Sequence, residues 1–476
     1  MLGISRKVFS EFECSDIKYC HWKSNEHLEE GLNGTTDLDI LVDHNNKKEC
    51  ENILHRLKLL KVRAPLGNKY KYVDDWIGMD YDTGEMIHLH LHYRIVTGKQ
   101  YRKEWVLPWS KMVLENRVKN EELNVYMTNP NMEIIILYVR VLLKTKYNEE
   151  QNDIIEVPND YLREIRYLKK VTDEKQIDIF LKKMLKSSDF KRCLFKESFT
   201  NKEYLYYKEV LKSVLGKYRI ESEKQTFIKH KMLKSLVYIE QNLKKKSIPM
   251  ITKKCPNDKG LIIAFIGTDG AGKSTMTKNI QSWLSWKIEV FQFYLGSGDG
   301  LKKPLTYKIY TNENMPKALK QWAGAGFYFY MSLYVKGKTR QIDGYRKRGG
   351  IAVLDRFPQL QYKGVNDGPK IEKNIEKAYF PDFLIKRIIK KEEENIRKAI
   401  QVTPDIVFKL KISPEEAIRR KKENTLAEMK RKVAFIEGIE FEGSKVYNID
   451  ASQNMNQEML EVKRIIWDEI YQRQLL

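Results

Sequence analysis

Residues 264–280 read AFIGTDGAGKSTMTKNI, with Gly267, Gly272, Lys273 and Ser274 at the spacing G-x-x-x-x-G-K-[ST]. Glycines let main-chain N–H groups curl around phosphate oxygens, and a helix beginning at that point adds its dipole. The run Gly267, Thr268, Asp269, Gly270, Ala271, Gly272, Lys273, Ser274 and Thr275 is therefore the candidate cradle for a nucleoside triphosphate. Lys273 is placed to neutralise the β- and γ-phosphates, and the Ser274 hydroxyl to reach Mg²⁺. The context agrees: the apolar run LIIAFIG precedes the loop as a buried strand, and STMTKNIQSWLSW follows with helical spacing.

The loop alone does not separate a kinase from a GTPase or a motor. A second apolar run, GGIAVLDRFPQ (349–359), ends in Asp355-Arg356. At the carboxyl end of a parallel strand such residues face the ligand crevice, where Asp355 can order Mg²⁺ or its waters and Arg356 can clamp a phosphate. A third strand, PDIVFKLKI (404–412), leads through a Ser413-Pro414-Glu415-Glu416 helix start into Arg419, Arg420, Lys421 and Lys422. That basic cluster either closes over a transferring phosphoryl group or is a solvated helix end. KVYNIDAS (445–452) reads as the last strand.

GTDGAGKST, VLDRF, PDIVFKLKISPEEAIRR and YNIDAS together resemble the thymidylate kinase family of P-loop kinases, over about residues 260–475. The resemblance implies a three-layer α/β fold with a parallel sheet, ATP as donor, Mg²⁺ as cofactor and a monophosphate-type acceptor, dTMP being the family default. It implies that Asp269 bonds an acceptor hydroxyl, that Arg356 holds the acceptor phosphate and that Asp355 organises metal or water. With no arginine in the loop, it also implies that Arg419 and Arg420 supply the catalytic charge. The stretch after Asp355-Arg356, FPQLQYKGVNDGPKI, departs from the family's thymidine-lining sequence. The helix before VLDRF offers Arg340 or Arg346 where the family has an arginine.

A second constellation lies near the amino end. TDLDILVD (36–43) alternates as a half-buried strand, so Asp37 and Asp39 project from one face, a geometry suited to a divalent metal beside a triphosphate. DDWIGMDYDTGEMIHLHLHYRI (74–95) reads as a hairpin turning at Asp82-Thr83-Gly84 and puts His88, His90 and His92 on one strand face. Neutral imidazoles there favour Zn²⁺, Mn²⁺ or Fe²⁺ over Mg²⁺, or else bind substrate, or are polar residues packed under a sheet or pointing to water. HWKSNEHLEEGLNGTTDLDILVD with HLHLHYR resembles the nucleotidyltransferase superfamily. In that frame Lys23-Ser24 stands where a Gly-containing pair is usual, and His90 takes the place of the third carboxylate beside Asp37 and Asp39. Cys14, Cys20 and His21 lack a second ligand pair and read as structural.

The expected organisation is an α+β nucleotidyltransferase-like domain over 1–104, a helical segment over 105–250 and a P-loop domain over 259–476. The stretch 244–260 reads as a connector. The 476 residues carry a net charge of +22, which favours anionic partners, a nucleotide or another phosphate-bearing small molecule among them. The composition does not single out nucleic acid. Five scattered cysteines, no signal-like amino end and no long apolar run are read as a cytoplasmic protein without a transmembrane segment. Besides nucleoside monophosphate phosphorylation, three readings stay open: a sugar or glycan acceptor, nucleotidyl transfer by the first half, and ATP binding without catalysis.

Overall fold

The computed structural model describes all residues except 66, 145–153, 257, 297–302, 365–366, 422–424 and 476. It divides into two compact units, Met1–Asn242 and Leu243–Gln474.

The first unit is built on a mixed sheet. Its strands are β1 (Tyr19–His21), β2 (Asp37–Val42), β3 (Leu60–Val62), β4 (Val73–Met79), β5 (Met86–His92), β6 (Val118–Asn120) and β7 (Val125–Met127). Their order is β3-β4-β5-β2-β1-β7-β6. The hairpin of β4 and β5 forms where Asp82-Thr83-Gly84 allows it, and β5 runs parallel to β2, with Asp37 opposite His88 and Asp39 opposite His90. Strand alternation sorts the side chains. Leu38, Ile40, Leu89 and Leu91 join a core with α1 (Gly3–Cys14) and α2 (Lys47–Arg56), so Asp37, Asp39, His88, His90 and His92 take the other face.

Toward one end, that other face is covered by α3 (Pro130–Lys144), which is buried along nearly its whole length. A helix this largely apolar must be enclosed. It is enclosed by Trp22 and Leu41 and by α4 (Asn159–Val171), α5 (Glu174–Leu185) and α6 (Asn201–Leu215). The helical segment thus shares a core with the sheet. Residues 105–127 contribute β6 and β7, and each of these strands is three residues, too short to display a period-two pattern in sequence.

The second unit is a five-stranded, wholly parallel sheet: β8 (Ile262–Gly267), β9 (Val290–Tyr294), β10 (Ile351–Asp355), β11 (Ile406–Lys411) and β12 (Lys445–Asp450), in the order β9-β10-β8-β11-β12. Ile262, Ala264, Leu354 and Val407 are fully buried, as strands covered on both faces require. The helices that matter for the site are α7 (Lys273–Leu284), α8 (Lys317–Arg346), α9 (Asp382–Ile400), α10 (Pro414–Arg420), α11 (Leu426–Gly438) and α12 (Met455–Leu475). The stretch read as a connector is docked at Thr252 and Lys253, whose N–H groups each donate to buried Glu289 at 2.8 Å. The five cysteines are free thiols. No helix among the described residues is long and apolar enough to cross a membrane.

On α12, burial lifts the Glu458 carboxyl to about 7, with Asp450 and Glu461 adding to the rise against Arg420. A carboxyl raised in the folded state costs nothing below about pH 4.5 and weakens the fold as pH climbs through 7. Glu458→Gln is expected to melt with the wild type at pH 4 and to gain about 1–2 kcal/mol at pH 8, read by thermal denaturation at both pH values.

Candidate functional site

β8 and β10 lie side by side, with Phe265 opposite Asp355, so their carboxyl ends open into one crevice. The phosphate loop leaves β8 there. Gly270 and Gly272 both sit at φ +85°, where a side chain is strained, and a Cβ on Gly270 would lie 2.6 Å from the Ala417 carbonyl oxygen. Lys273 is buried and folds back on the loop, its Nζ donating to the Thr268 carbonyl at 2.6 Å. Burial, with Arg356 nearby, pushes its amine down to about 8 against the pull of Asp355, Asp269 and Asp367.

The Ser274 hydroxyl donates to Asp355 Oδ2 at 2.6 Å. Asp355 is 3% exposed, and its other oxygen, Oδ1, is buried without a hydrogen-bond partner. A buried carboxylate oxygen left unmatched beside a hydroxyl is the donor set of a hard, oxygen-preferring cation. The residues therefore fit Mg²⁺.

Arg356 follows at φ +75°, an uncommon conformation for a non-glycine residue and one concentrated at functional sites. Its guanidinium lies 3.3 Å from Asp269 and 3.6 Å from Asp367. Asp269 also accepts from Lys432 at 2.8 Å. Although burial opposes it, the hydrogen bond from Lys432 and the charges of Lys432, Arg356 and Lys273 hold the Asp269 carboxyl at about 2. Lys432, on α11, was not singled out in the sequence. Only its place four residues past the α11 capping-box Glu428 marks it, and that spacing says nothing about the loop.

Arg419 and Arg420 both pair with Glu416 on their own helix, at 2.7 and 2.8 Å. The Arg419 side chain is 79% exposed. Lys422 lies outside the described residues. Arg346 pairs with Asp343 and Asp405. Gln361, in the departing stretch, exchanges two hydrogen bonds with the Glu440 backbone.

One cavity borders the loop, and a second lies between α8 and α9. The first, of about 420 Å³, lies at the carboxyl ends of β11 and β12, between Thr268, Ser413, Pro414 and Asp450. The other is narrow and mostly apolar, formed by Phe327, Tyr328 and Met331 of α8 and Ile396 of α9, with Asp367 at its polar side.

In the first unit, Asp37 and Asp39 meet all three histidines. His88 is clamped between Asp37 (2.8 Å) and Asp75 (3.1 Å), His90 between Asp39 (3.4 Å) and Asp75 (3.0 Å), and His92 reaches Asp39 at 3.1 Å. Asp75, on β4 opposite His90, had no sequence signal beyond its place in the hairpin. Burial works against charge on His90, but its hydrogen bonds to Asp39 and Asp75 lift it to about 9. Burial drives His92 down to about 4. Lys23 pairs with Asp39 Oδ2 at 2.8 Å. Ser24 stands at φ +56°, with its N–H and hydroxyl both on Glu164. Asn25 is held by Glu133 of α3 at 3.0 and 2.6 Å. His21 bonds Asn25 at 2.7 Å.

No family model matches the chain. It is 28% identical over 226 residues to the uncharacterized ATP-binding protein YghR of Escherichia coli K12, across 44% of this chain and 88% of YghR. It is 24% identical over 163 residues to the probable thymidylate kinase of Thermoplasma acidophilum, across 34% of this chain and 69% of that protein. Among solved structures, deoxyadenosine kinase from M. mycoides with bound dATP aligns with 43% of this chain and 98% of its own, at 17% identity and a TM-score of 0.30. The parallel sheet, its phosphate loop and these sequence relatives define a thymidylate-kinase-like P-loop fold.

Because the Gly270 conformation and its contact with Ala417 leave no room for a side chain, Gly270→Ala is expected to weaken ATP binding at least tenfold by calorimetry. Circular dichroism should remain unchanged, since the loop is at the surface end of the sheet.

Proposed function

We propose that the second unit transfers the γ-phosphoryl group of ATP to a nucleoside monophosphate, with dTMP the first acceptor to test. The observation that carries this reading is the Ser274–Asp355 pair with its buried, unmatched Oδ1, next to an arginine in a strained conformation. Ser274 and Asp355 are the residues that would hold Mg²⁺. When bound, that ion offsets charge on the phosphate oxygens and orients them. The amides of Gly267–Thr275 cradle the triphosphate, and the Lys273 ammonium leaves the Thr268 carbonyl for the β- and γ-phosphates. The cavity beside Ser413 and Asp450 takes the nucleoside of ATP, and the apolar pocket between α8 and α9 takes the acceptor. Arg356 faces that pocket through Asp367 and is the group to receive an acceptor phosphate. Lys432, held at the loop by Asp269, brings charge close to the moving group. Arg419 and Arg420 join it only after leaving Glu416.

One observation favours an acceptor without a phosphate. Arg356 already has two carboxylate neighbours, Asp269 and Asp367, so a dianion must displace them. A sugar or nucleoside hydroxyl need not. Likeness to nucleotidyltransferases remains our reading of the first unit, supported by Asp37-x-Asp39 beside a parallel β5.

Turnover of labelled ATP against dTMP, thymidine and a panel of sugars separates these acceptors. Transfer to dTMP is expected. Transfer only to a hydroxyl compound selects the second acceptor class, and ATP binding without transfer to any of them overturns the kinase reading. Lys273→Ala is expected to lower kcat at least 100-fold. Lys432→Ala should lower kcat about tenfold with little change in KM for ATP, both measured by steady-state kinetics.

A further inference from the structure

The helix Glu223–Lys245 carries two apolar stripes, and only one of them is covered. At about 100° per residue, Thr226, His230, Leu233 and Val237 share one side. That side leans on the first unit. Thr226 is buried, His230 Nδ1 lies 2.9 Å from the Gln100 carbonyl oxygen, and the His230 ring is 5.8 Å from that of Tyr101. Ile228, Met232, Leu236 and Ile239 share a separate side, within an arc of about 80°. They are 56, 57, 40 and 53% exposed. Phe227 and Tyr238 are also exposed. Apolar residues scattered singly over a surface need no partner, but four aligned along three turns of one helix mark a docking face. This stripe lies within the first unit.

The edges of the stripe are basic. The same rotation puts Lys224 and Lys231 along one edge and Lys229 along the other. The helix holds six lysines against two glutamates. Lys224 and Lys231 are exposed and form no ion pair among the described residues, whereas Lys229 pairs with Glu221 at 3.1 Å. Lys231 Nζ lies 5.0 Å from the centre of the Phe227 ring, so its charge stands where apolar surface ends.

Charge selects the occupant. A second copy of the helix would set lysine edge against lysine edge, where paired helices need opposite charges. A nucleic acid would neutralise the lysines and leave the stripe in water. An anionic lipid surface meets both demands: acyl chains take the stripe and headgroup phosphates take the lysines. Exposed Phe227 and Tyr238 suit the boundary between the two layers. The net charge of +22 adds attraction at longer range.

We propose that the helix Glu223–Lys245 docks the protein on an anionic membrane surface. Ile228, Met232, Leu236 and Ile239 enter the acyl boundary, and Lys224 and Lys231 meet headgroup phosphates. With six lysines the helix lies in the plane of the headgroups and does not span the hydrocarbon. This docking face is independent of the kinase reading.

Cosedimentation of the full chain with phosphatidylcholine vesicles, with and without about one third phosphatidylglycerol, tests the proposal. Binding at least tenfold tighter to the anionic vesicles is expected. Ile228→Ser plus Met232→Ser plus Ile239→Ser should weaken it at least tenfold, and Lys224→Gln plus Lys231→Gln about tenfold. Because all five side chains are exposed, circular dichroism and the melting temperature should stay those of the wild type. Sedimentation velocity without lipid should give the same species for the wild type and the serine variant. Equal binding to both kinds of vesicle, or full binding by the serine variant, overturns the proposal. So does tighter binding to duplex RNA than to the anionic vesicles, or a wild-type dimer that the serine variant dissociates, which would assign the stripe to a second copy.

Discussion

The hydrogen bond from Ser274 to Asp355 joins the two chain segments on which the proposed phosphoryl transfer depends. Ser274 begins α7 just past the loop, and Asp355 ends β10 on the neighbouring strand. That bond can form only because β8 and β10 are adjacent and parallel, so both carboxyl ends reach the same side. Once it forms, Asp355 Oδ1 is left buried and unmatched. An unsatisfied buried carboxylate oxygen costs roughly 1–3 kcal/mol or more, a penalty that a bound cation removes. The cation proposed for Ser274 and Asp355 would remove that penalty.

The same economy of charge governs the surroundings. Asp269 is shared by Arg356 and Lys432, and Arg356 is shared by Asp269 and Asp367. Arg356 and Lys432, the cations beside the loop, are therefore already paired with carboxylates, which the proposed acceptor phosphate would have to replace. Mostly local pairing also explains Arg419 and Arg420: each lies one helical turn from Glu416 and takes that partner at little entropic cost.

Much of the second unit was legible because its signals are local. The G-x-x-x-x-G-K-S spacing, the apolar runs of β8 and β10, and the Ser413-Pro414-Glu416 helix start each specify their structure within a few residues, and Ser413 does cap its helix by accepting from the Glu416 N–H. Asp37, Asp39 and the alternating histidines were legible for the same reason, since period-two spacing assigns a face. What escaped was set by tertiary pairing. Asp75 matters through its register opposite His90, Lys432 through its reach across to Asp269, and Glu133 and Glu164 through helices that fold back onto the Lys23-Ser24 turn. None of these relations leaves a spacing in the chain. The short strands β6 and β7 were hidden because three residues cannot show alternation.

ATP affinity measured by calorimetry with Mg²⁺ and with EDTA, in the wild type and in Asp355→Asn, bears most directly on the central pair. The variant keeps the shape of the side chain and can still accept from Ser274, but it loses the charge on the unmatched oxygen. The expected result is ATP binding that Mg²⁺ strengthens at least tenfold in the wild type and hardly at all in Asp355→Asn. Equal strengthening by Mg²⁺ in both proteins would contradict the role given to that oxygen.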